Sequence, residues 1–359
     1  MKVLHLIPDL EYGNAARQLS WLAPALKASH IECHIGVLSG PGPLATSLAN
    51  LPVIYLNWNR WVDLRPLWRL RRLISYFGPN VIHCWRAETI RALALVNYQS
   101  KIPVIVSSFS WPSTHTGIWD FVDRWLFSRV DRIVVHWPEQ MEKWKSWGIP
   151  QEKLLQIPPG VGPCSNASAN GSNLDLPANA QVVLCVGPLE ASKGIKDAIW
   201  AFHILGFLFP DLYLVLVGEG PEHERLDRLA AGLFPERMIA VGSVPEYGGI
   251  LARADVVWAP SLKPRGFNVA LEAMAAGKPV VASRLPGLTD IVQDSETGFL
   301  YPVGDKVSLA KKTRLILDDL NRRRQMGEAG RRRVQERFSV DSLAQAYARL
   351  YQSVASQEN

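Results

Sequence analysis

The stretch Trp258–Ser283, WAPSLKPRGFNVALEAMAAGKPVVAS, contains a strand, a loop, a short helix and a second strand. The first strand ends at Ala259–Ser261. Asn268 is a suitable N-cap, and Gly277 followed by Pro279 stops the helix, so about two helical turns are expected between them. An apolar strand then follows at once. A strand, a helix and a strand in this order predict a parallel sheet, because parallel strands need a crossover connection.

The same alternation of apolar strand-like runs and helix-period segments continues along the whole chain. The predicted strands are KVLHLI (2–7), CHIGVL (33–38), NVIHCW (80–85), PVIVSSF (103–109), RIVVHW (132–137), QVVLCVG (181–187), YLVLVG (213–218), MIAVGS (238–243), DVVWAP (255–260) and PVVAS (279–283). Between the two sets lies a segment rich in Pro, Gly, Ser and Asn without apolar periodicity, which indicates a linker. We therefore expect an α/β protein with two doubly wound parallel-sheet domains that face a central cleft.

The expected domain boundaries follow from this pattern. Residues 1–162 form a first Rossmann-like domain, residues 163–180 the linker, and residues 181–338 a second Rossmann-like domain. The chain ends in an amphipathic helix at about 339–356, for which Ser339 is a suitable N-cap. This helix is expected to pack back onto the first domain.

Composition limits the class of protein. The 359 residues are 48% hydrophobic and 20% charged, and no apolar run reaches the roughly 18 residues that a membrane span needs. The start of the chain lacks the pattern of a signal peptide. Four cysteines are scattered without a CxxC pair, at positions 33, 84, 164 and 185. We expect a cytoplasmic protein with reduced, buried thiols and no metal site.

Charge and tryptophan concentrate in the first domain. Residues 1–162 hold 17 Lys and Arg against 11 Asp and Glu, residues 163–359 hold 22 of each, and 11 of the 13 tryptophans precede residue 163. Within residues 57–77, Trp58, Trp61 and Trp68 stand among five arginines. This segment is either a packed helix with a basic exposed face or an interfacial surface that meets anionic lipid headgroups. No nucleic-acid recognition motif accompanies the charge, so nucleic acid is not an expected partner.

Lys193 lies between a predicted strand and a helix that begins near Ile195. A cation at the N-terminal end of a helix has the wrong sign for the helix dipole. An anion between the two would reverse that penalty, and a diphosphate is the natural candidate; the alternative is a solvated lysine offset by Glu190 and Asp197. Glu272, on the short helix, is either an acceptor for a sugar diol or an acid stabilised by the dipole.

Glycine turns close several predicted strands, at Gly13-Asn14, Gly218-Glu219-Gly220 and Gly242. Together they suggest ligand contacts through the backbone. None forms GxGxxG or a P-loop, which argues against nicotinamide and ATP as ligands. Three histidines, His83, His115 and His136, lie at or after strand ends, where a structural role is the simpler interpretation.

The sequence resembles glycosyltransferase family 4, a family of retaining nucleotide-sugar enzymes with the GT-B fold. The strongest match is FNVALEAMAAGKPVVAS (267–283), which continues through LPGLTDIVQDSETGFLYPVGD (285–305), and the resemblance spans nearly the whole chain. It implies transfer of a sugar from a nucleotide-sugar to a hydroxyl acceptor without a metal or other cofactor. It also implies a glycan or lipid-linked acceptor, and hence peripheral contact with the inner face of the membrane.

Site residues carry over from the resemblance one by one. Lys193 would grip the donor diphosphate, and Glu272 would hold the ribose. The glycine turns at Gly218 and Gly242 would border the base, while Gly13 and Asn14 would reach across the cleft. The full set implied to bind the donor is Gly13, Asn14, Gly187, Lys193, Gly218, Gly242, Asn268 and Glu272. Asp290 stands where the family often has a glutamate.

Several positions depart from the family pattern. Pro264 replaces the first glutamate of the Glu-seven-residues-Glu motif, Pro188 the arginine that partners the lysine, Phe109 a histidine, and Pro159 the linker asparagine. Because no metal helps the diphosphate to leave, Lys193 alone would make a weak site. We expect a second cation from Arg265, or less favourably from Arg284. The alternative is a non-catalytic GT-B protein that binds a nucleotide-sugar or a partner protein; an epimerase or phosphorylase fits the motif less well.

Overall fold

The structure, a computed structural model, describes residues 1–58, 63–96, 102–108, 118–162, 174, 176–244, 247–264 and 266–356. The chain forms two compact units, one made of Met1–Gly160 together with Ser339–Asn359, and the other of Val161–Phe338. Each unit contains a parallel sheet with helical crossovers, which confirms the predicted α/β class with two Rossmann-like domains. Most of the predicted linker, 163–173 and 175, lies outside the described residues.

The first unit contains a seven-stranded parallel sheet within the described residues. Its strands are β1 (Lys2–Ile7), β2 (Glu32–Val37), β3 (Val53–Tyr55), β4 (Val81–Cys84), β5 (Val104–Ser107), β6 (Arg132–Val135) and β7 (Leu154–Gln156). They lie in the order β3-β2-β1-β4-β5-β6-β7. The helices before the linker are α1 (Asn14–Ala25), α2 (Arg65–Phe77), α3 (Ala87–Leu95), α4 (Ile118–Ser128) and α5 (Pro138–Ser146).

The second unit contains a six-stranded parallel sheet in the part of the chain that is described. Its strands are β8 (Gln181–Val186), β9 (Leu212–Val217), β10 (Met238–Val241), β11 (Val256–Ala259), β12 (Val280–Ser283) and β13 (Gly298–Tyr301), in the order β10-β9-β8-β11-β12-β13. Its helices are α6 (Ile195–Gly206), α7 (His223–Ala231), α8 (Gly248–Arg253), α9 (Phe267–Ala275), α10 (Leu288–Ile291), α11 (Lys306–Leu317) and α12 (Leu320–Arg337). Because all strands are parallel, their carboxyl ends share one edge, and the strand order reverses between β8 and β11.

The C-terminal helix α13 (Val340–Ala355) belongs to the first unit. Its N-cap is Ser339, whose side chain accepts a hydrogen bond from the Ser342 amide. With α1, it covers one face of the first sheet, and its contribution to that core consists of Leu343, Ala344, Tyr347, Ala348, Leu350, Tyr351 and Val354. Helices α2, α3, α4 and α5 bury their apolar residues in a separate core on the other face.

Three strands were not predicted from the sequence, namely β3, β7 and β13. The first two have three residues each and the third has four. A run this short shows neither an alternating nor a helical period, so only pairing with a neighbouring strand reveals it. The ten strands that were predicted all form, with ends that shift by one or two residues.

Three of the four cysteines, Cys33, Cys84 and Cys185, are buried thiols, and burial raises the pKa of each to about 12. Cys164 lies outside the described residues. Over the described ranges, every helix is too short or too polar to cross a lipid bilayer.

A buried polar network fastens α13 to the first sheet. Nδ1 of His83 lies 2.6 Å from Tyr351 Oη, and Nε2 of the same ring lies 2.8 Å from Ser107 Oγ. Ser107 Oγ also lies 2.6 Å from Tyr347 Oη. All four side chains are buried. Since a buried polar group without a partner is costly, these bonds specify where α13 sits as well as stabilising it.

Tyr351→Phe is expected to destabilise the first unit. The substitution keeps the ring but removes the hydroxyl that bonds His83, at a cost of about 1–3 kcal/mol in the free energy of unfolding. Tyr76→Phe is the matched control, because Tyr76 is exposed on α2 and its loss should change stability by less than about 0.5 kcal/mol. Urea-induced unfolding measures both; equal effects would contradict the role of the network.

Burial also keeps the histidines of this region neutral. It lowers the pKa of His5 to about 3 and that of His136 to about 4. The pKa of His83 is lowered well below its ordinary value, first by burial and then by the neighbouring His5 and His136. Trp85 donates its indole N–H to His5 Nδ1 at 3.1 Å, which places the proton of the neutral His5 ring on Nε2.

Stability should therefore fall in mild acid. Each folded-state pKa lies below the ordinary 6.5, so the unfolded chain takes up protons first as the pH drops below that value. The histidine contribution is complete above about pH 6.5 and is lost progressively toward about pH 3–4. Urea midpoints at about pH 7.5 and about pH 5 should differ more for the parent than for the double variant His5→Gln/His136→Gln. An equal pH dependence in both proteins would contradict this account.

Candidate functional site

The side chain of Lys193 folds back over the end of β8. Lys193 ends a short 3₁₀ turn, Ala191–Lys193, between β8 and α6. A Cβ added to Gly187 would stand 3.7 Å from Cε and 3.8 Å from Nζ of Lys193. A Cβ added to Gly266 would stand 3.5 Å from the same Nζ. The ammonium group thus lies beside two glycines, one after β8 and the other just before α9.

The helix α9 begins earlier than the sequence predicts. Asn268 is the predicted N-cap, but that prediction is wrong: the helix runs from Phe267, and Gly266 precedes it as the N-cap. Gly266 has φ +86°, a left-handed backbone that glycine adopts without strain, and this conformation turns the chain into the helix. Asn268 is instead a buried residue of the first turn.

Lys193 lies close to the starts of two helices. Its Nζ lies at the N-terminal end of α9, and α6 begins two residues after it, at Ile195. The N-terminal end of a helix carries a partial positive charge and presents unpaired amide N–H groups. A lysine ammonium at the start of α9 is an arrangement that a bound anion stabilises. Glu190, an acid close in sequence, accepts a hydrogen bond from Ser192 Oγ at 3.2 Å.

Backbone groups of neighbouring turns meet beside this lysine. Gly187 donates its amide N–H to Val217 O at 2.9 Å, and Gly218 donates to Val241 O at 3.1 Å. Gly218 has φ +141°, and a Cβ on it would stand only 2.1 Å from Gly187 O. A side chain at Gly218 would therefore force β8 and β9 apart at the edge where the lysine lies.

Glu219, in the turn after β9, contacts the turn that follows β10. Its Oε1 accepts a hydrogen bond from the Ser243 amide at 3.1 Å, and a Cβ on Gly242 would stand 2.9 Å from the same oxygen. The predicted donor residues Gly187, Lys193, Gly218 and Gly242 thus follow one another along the ends of β8, β9 and β10.

Glu272 and Asn268 are buried side chains of α9. Glu272 is the sixth residue of the helix, beyond the first turn in which the dipole acts strongly. Stabilisation by the dipole is therefore a weak explanation for a buried carboxylate at this position. A role as hydrogen-bond acceptor fits a buried carboxylate better.

The departures from the family pattern have different structural settings. Pro188 follows Gly187 in the turn after β8, and Pro264 is half-buried in the loop before α9. Arg284 donates from Nη2 to Asp294 Oδ2 at 3.0 Å in an exposed ion pair. Because Arg284 is already paired with Asp294, Arg265 is the favoured second cation. The described residues do not include Arg265, Phe109 or His115.

Two other predicted positions have local roles. Asp290 accepts a hydrogen bond from the Gly287 amide at 3.1 Å and caps α10. Pro159 is buried next to Gly160, whose carbonyl accepts a hydrogen bond from Gln18 Nε2.

Ser261 is a candidate site residue that the sequence did not single out. It is buried, and its Oγ lies 3.0 Å from the position of a Cβ on Gly266. Ser283, at the end of β12, donates its hydroxyl to Ser261 O at 2.6 Å and so fixes the loop. The sequence feature that could have identified Ser261 is its position directly after β11, at the edge where ligands bind in doubly wound parallel sheets.

The remaining predicted site residues belong to the first unit. Gly13 precedes α1 in extended backbone and is exposed, and Asn14 is the first residue of that helix. Their contact with the donor stays a prediction. His83 and His136 are buried, in keeping with structural roles. In the described ranges, no three His, Cys, Asp or Glu residues are grouped so as to hold a metal ion.

Comparison with known proteins covers both units. The family model of "Glycosyl transferases group 1" matches residues 170–333, and that of "Glycosyltransferase Family 4" matches residues 15–163. The lipopolysaccharide core biosynthesis glycosyltransferase LpsD of Rhizobium meliloti is 28% identical over 98% of both chains. The alpha-maltose-1-phosphate synthase of Mycolicibacterium smegmatis is 31% identical over 99% of this chain and 88% of its own length.

Solved structures share the fold. Sucrose-phosphate synthase from Thermosynechococcus elongatus superposes with a TM-score of 0.83 at 23% identity, over 99% of this chain and 100% of its own. HepE of Anabaena, in complex with UDP and glucose, superposes with a TM-score of 0.85 at 20% identity, over 98% and 100%. The protein described here therefore belongs to glycosyltransferase family 4 and is a glycosyltransferase of the GT-B type.

Proposed function

We propose that the protein is a retaining hexosyltransferase that uses a nucleotide-sugar donor and a hydroxyl acceptor. The observation that carries the proposal is the position of Lys193 Nζ, beside Gly187 and at the N-terminal end of α9. That position suits the paired phosphates of a nucleotide-sugar. HepE, a protein of the same fold, was crystallised with UDP-glucose, which supports a nucleotide-sugar as the donor class.

Sugar transfer depends mainly on neutralising the negative charge that develops on the leaving diphosphate. The bond between the anomeric carbon and the β-phosphate oxygen breaks, and a bond from that carbon to the acceptor oxygen forms. In a front-face route, the acceptor proton passes to the departing diphosphate on the same side of the sugar, so the configuration is retained. Lys193 and the start of α9 stabilise the negative charge that grows on the diphosphate. We propose that no metal or other cofactor takes part.

Buried Glu272 is assigned to the nucleoside. A carboxylate accepts hydrogen bonds with both oxygens and so fits the two hydroxyls of a ribose. The backbone turns at Gly218 and Gly242 lie on the neighbouring strand ends and would border the base.

The acceptor is proposed to be a cell-surface glycan or a lipid-linked glycan. Two relatives are named for lipopolysaccharide core biosynthesis, and others are phosphatidyl-myo-inositol mannosyltransferases. An acceptor of this kind sits at a membrane, so we propose that the enzyme works in the cytoplasm as a peripheral protein at the inner membrane face.

A non-catalytic nucleotide-sugar-binding protein is the second candidate. The observation that favours it is the loss of charged side chains at the sugar end of the site, where Pro188 and Pro264 stand. Binding of a donor without turnover would distinguish it from the enzyme.

Lys193→Ala is expected to reduce sugar transfer by about 10²–10³-fold in kcat, because a cation facing the leaving diphosphate is lost. Lys196→Ala is the matched control, since Lys196 is an exposed lysine of α6. Calorimetric titration with a panel of nucleotide-sugars identifies the donor, and donor-hydrolysis and transfer assays then compare the variants. A donor that binds the parent tightly but is never turned over, even with candidate acceptors, would support the second candidate instead.

Arg265→Ala is expected to lower kcat by about 10²-fold if Arg265 supplies the second cation. Arg284→Ala is the control on a neighbouring loop, because the Arg284 guanidinium is already paired with Asp294. An Arg265→Ala enzyme with the donor affinity and turnover of the parent would refute this assignment and leave Lys193 as the main cation.

A further inference from the structure

Helix α6 of the second unit is apolar on its outward side as well as on the side that faces the core. Its inner side chains, such as Ile199 and Phe202, are buried. Beyond the first turn the helix reads AIWAFHILG (198–206), in which His203 alone is titratable. A surface helix normally keeps a polar face toward water, and a helix that is apolar all round is buried. The outer face of α6 therefore has the composition of a covered surface.

The large residues of that outer face repeat at helical spacing. Trp200 is half-buried, and Ile204, Phe207 and Leu208 are exposed, Phe207 at 70% and Leu208 at 52%. Phe207 follows the last residue of the helix and keeps helical backbone angles. Positions i, i+4, i+7 and i+8 of a helix lie along one stripe. A continuous apolar stripe on the surface of a soluble protein indicates an interaction site.

Aromatic contacts join these side chains and extend the stripe beyond α6. The ring centroids of Trp200 and His203 lie 6.0 Å apart, and those of His203 and Phe207 lie 4.9 Å apart. Phe234, just before β10, lies 5.2 Å from Phe207. The side chains that form this continuous patch are called the α6 surface below: Trp200, His203, Ile204, Phe207, Leu208 and Phe234.

Opposite charges stand at the two ends of the α6 surface. At the end where the helix begins, Lys306 Nζ lies 5.6 Å from the ring centroid of Trp200. At the end where the helix stops, Glu236 is exposed two residues after Phe234. The neighbouring Arg237 donates to backbone carbonyl groups at the end of α6 and is thereby turned toward its own helix.

The neighbouring charges preserve this difference between the ends. Asp211 is exposed at the same end as Glu236, because Arg237 also donates to the carbonyl just before Asp211. Asp305, beside Lys306, is held as the cap of α11. The lysine and aspartate of the first turn of α6 offset each other. One end of the α6 surface is thus basic and the other acidic.

We propose that the α6 surface joins two copies of this chain in a homodimer with twofold symmetry. In such an interface the same patch of each copy contacts itself, so the two α6 helices run antiparallel. Trp200 then faces Phe207 of the partner subunit, and the basic end of each surface meets the acidic end of the other. Charge complementarity of a patch with itself favours a second copy over an unrelated partner. This inference goes beyond the proposed function, because it involves neither the donor nor the acceptor.

Sedimentation velocity of the full-length protein, without donor or acceptor, tests the association at about 1–100 μM. We expect a monomer–dimer equilibrium in this range. Phe207→Ala should raise the dissociation constant of the dimer by about 100-fold, because symmetry removes two buried rings at once. Phe121→Ala is the matched control, since Phe121 of α4 is also 70% exposed but lies in the first unit. It should associate like the parent, and melting curves check that both variants fold.

A charge exchange tests the antiparallel arrangement. Glu236→Lys and Lys306→Glu should each raise the dissociation constant by about five-fold at low salt, because each places two like-charged pairs across the twofold axis. An equimolar mixture of the two variants should associate like the parent, since their heterodimer has opposite charges in both pairs.

Three results would overturn the proposal. The first is a parent protein that stays monomeric over the whole concentration range. The second is a Phe207→Ala variant that associates as well as Phe121→Ala. The third is a mixture of the charge variants that associates no better than either variant alone. A monomeric parent that binds maltoheptaose or phosphatidylglycerol vesicles through Phe207 would identify a glycan or a lipid as the occupant of the surface instead.

Discussion

The site depends on where one ammonium group is held. Lys193 precedes α6 in the chain, but its Nζ lies beside Gly266 at the start of α9. A cation at the positive end of a helix raises the free energy of the empty site, and an anion bound there lowers it. An anion bound beside Lys193 would therefore be stabilised by the helix end as well as by the ammonium group. Glu272, on the same helix, is positioned by the same elements.

Close backbone approaches maintain that position. A Cβ on Gly194 would stand 2.0 Å from Pro260 O, and Leu262 donates its amide N–H to Ser192 O at 2.8 Å. The turn that carries the lysine is thus packed against the loop that leads to α9. Because a side chain at Gly194 would clash with Pro260 O, the backbones of the turn and the loop are in close contact. A site built in this way is preorganised, because contacts within the fold fix its backbone.

The first unit uses the two faces of its sheet for different purposes. One face is closed by α13, whose Tyr347 and Tyr351 bond into the sheet through Ser107 and His83. The other face carries α2 and α4, whose outward side chains include exposed aromatic rings and arginines.

The amino-acid sequence by itself determined the α/β class, most strand positions and the family, because apolar periodicity and local motifs are properties of neighbouring residues. It also singled out Lys193 and Glu272. Only the tertiary structure brought Lys193 to Gly266, moved the start of α9 to Phe267 and placed α4 on the same face of the first sheet as the basic helix α2. These features depend on contacts between residues distant in sequence, and no local pattern records such contacts. Packing of the strand ends and helices against each other decides them.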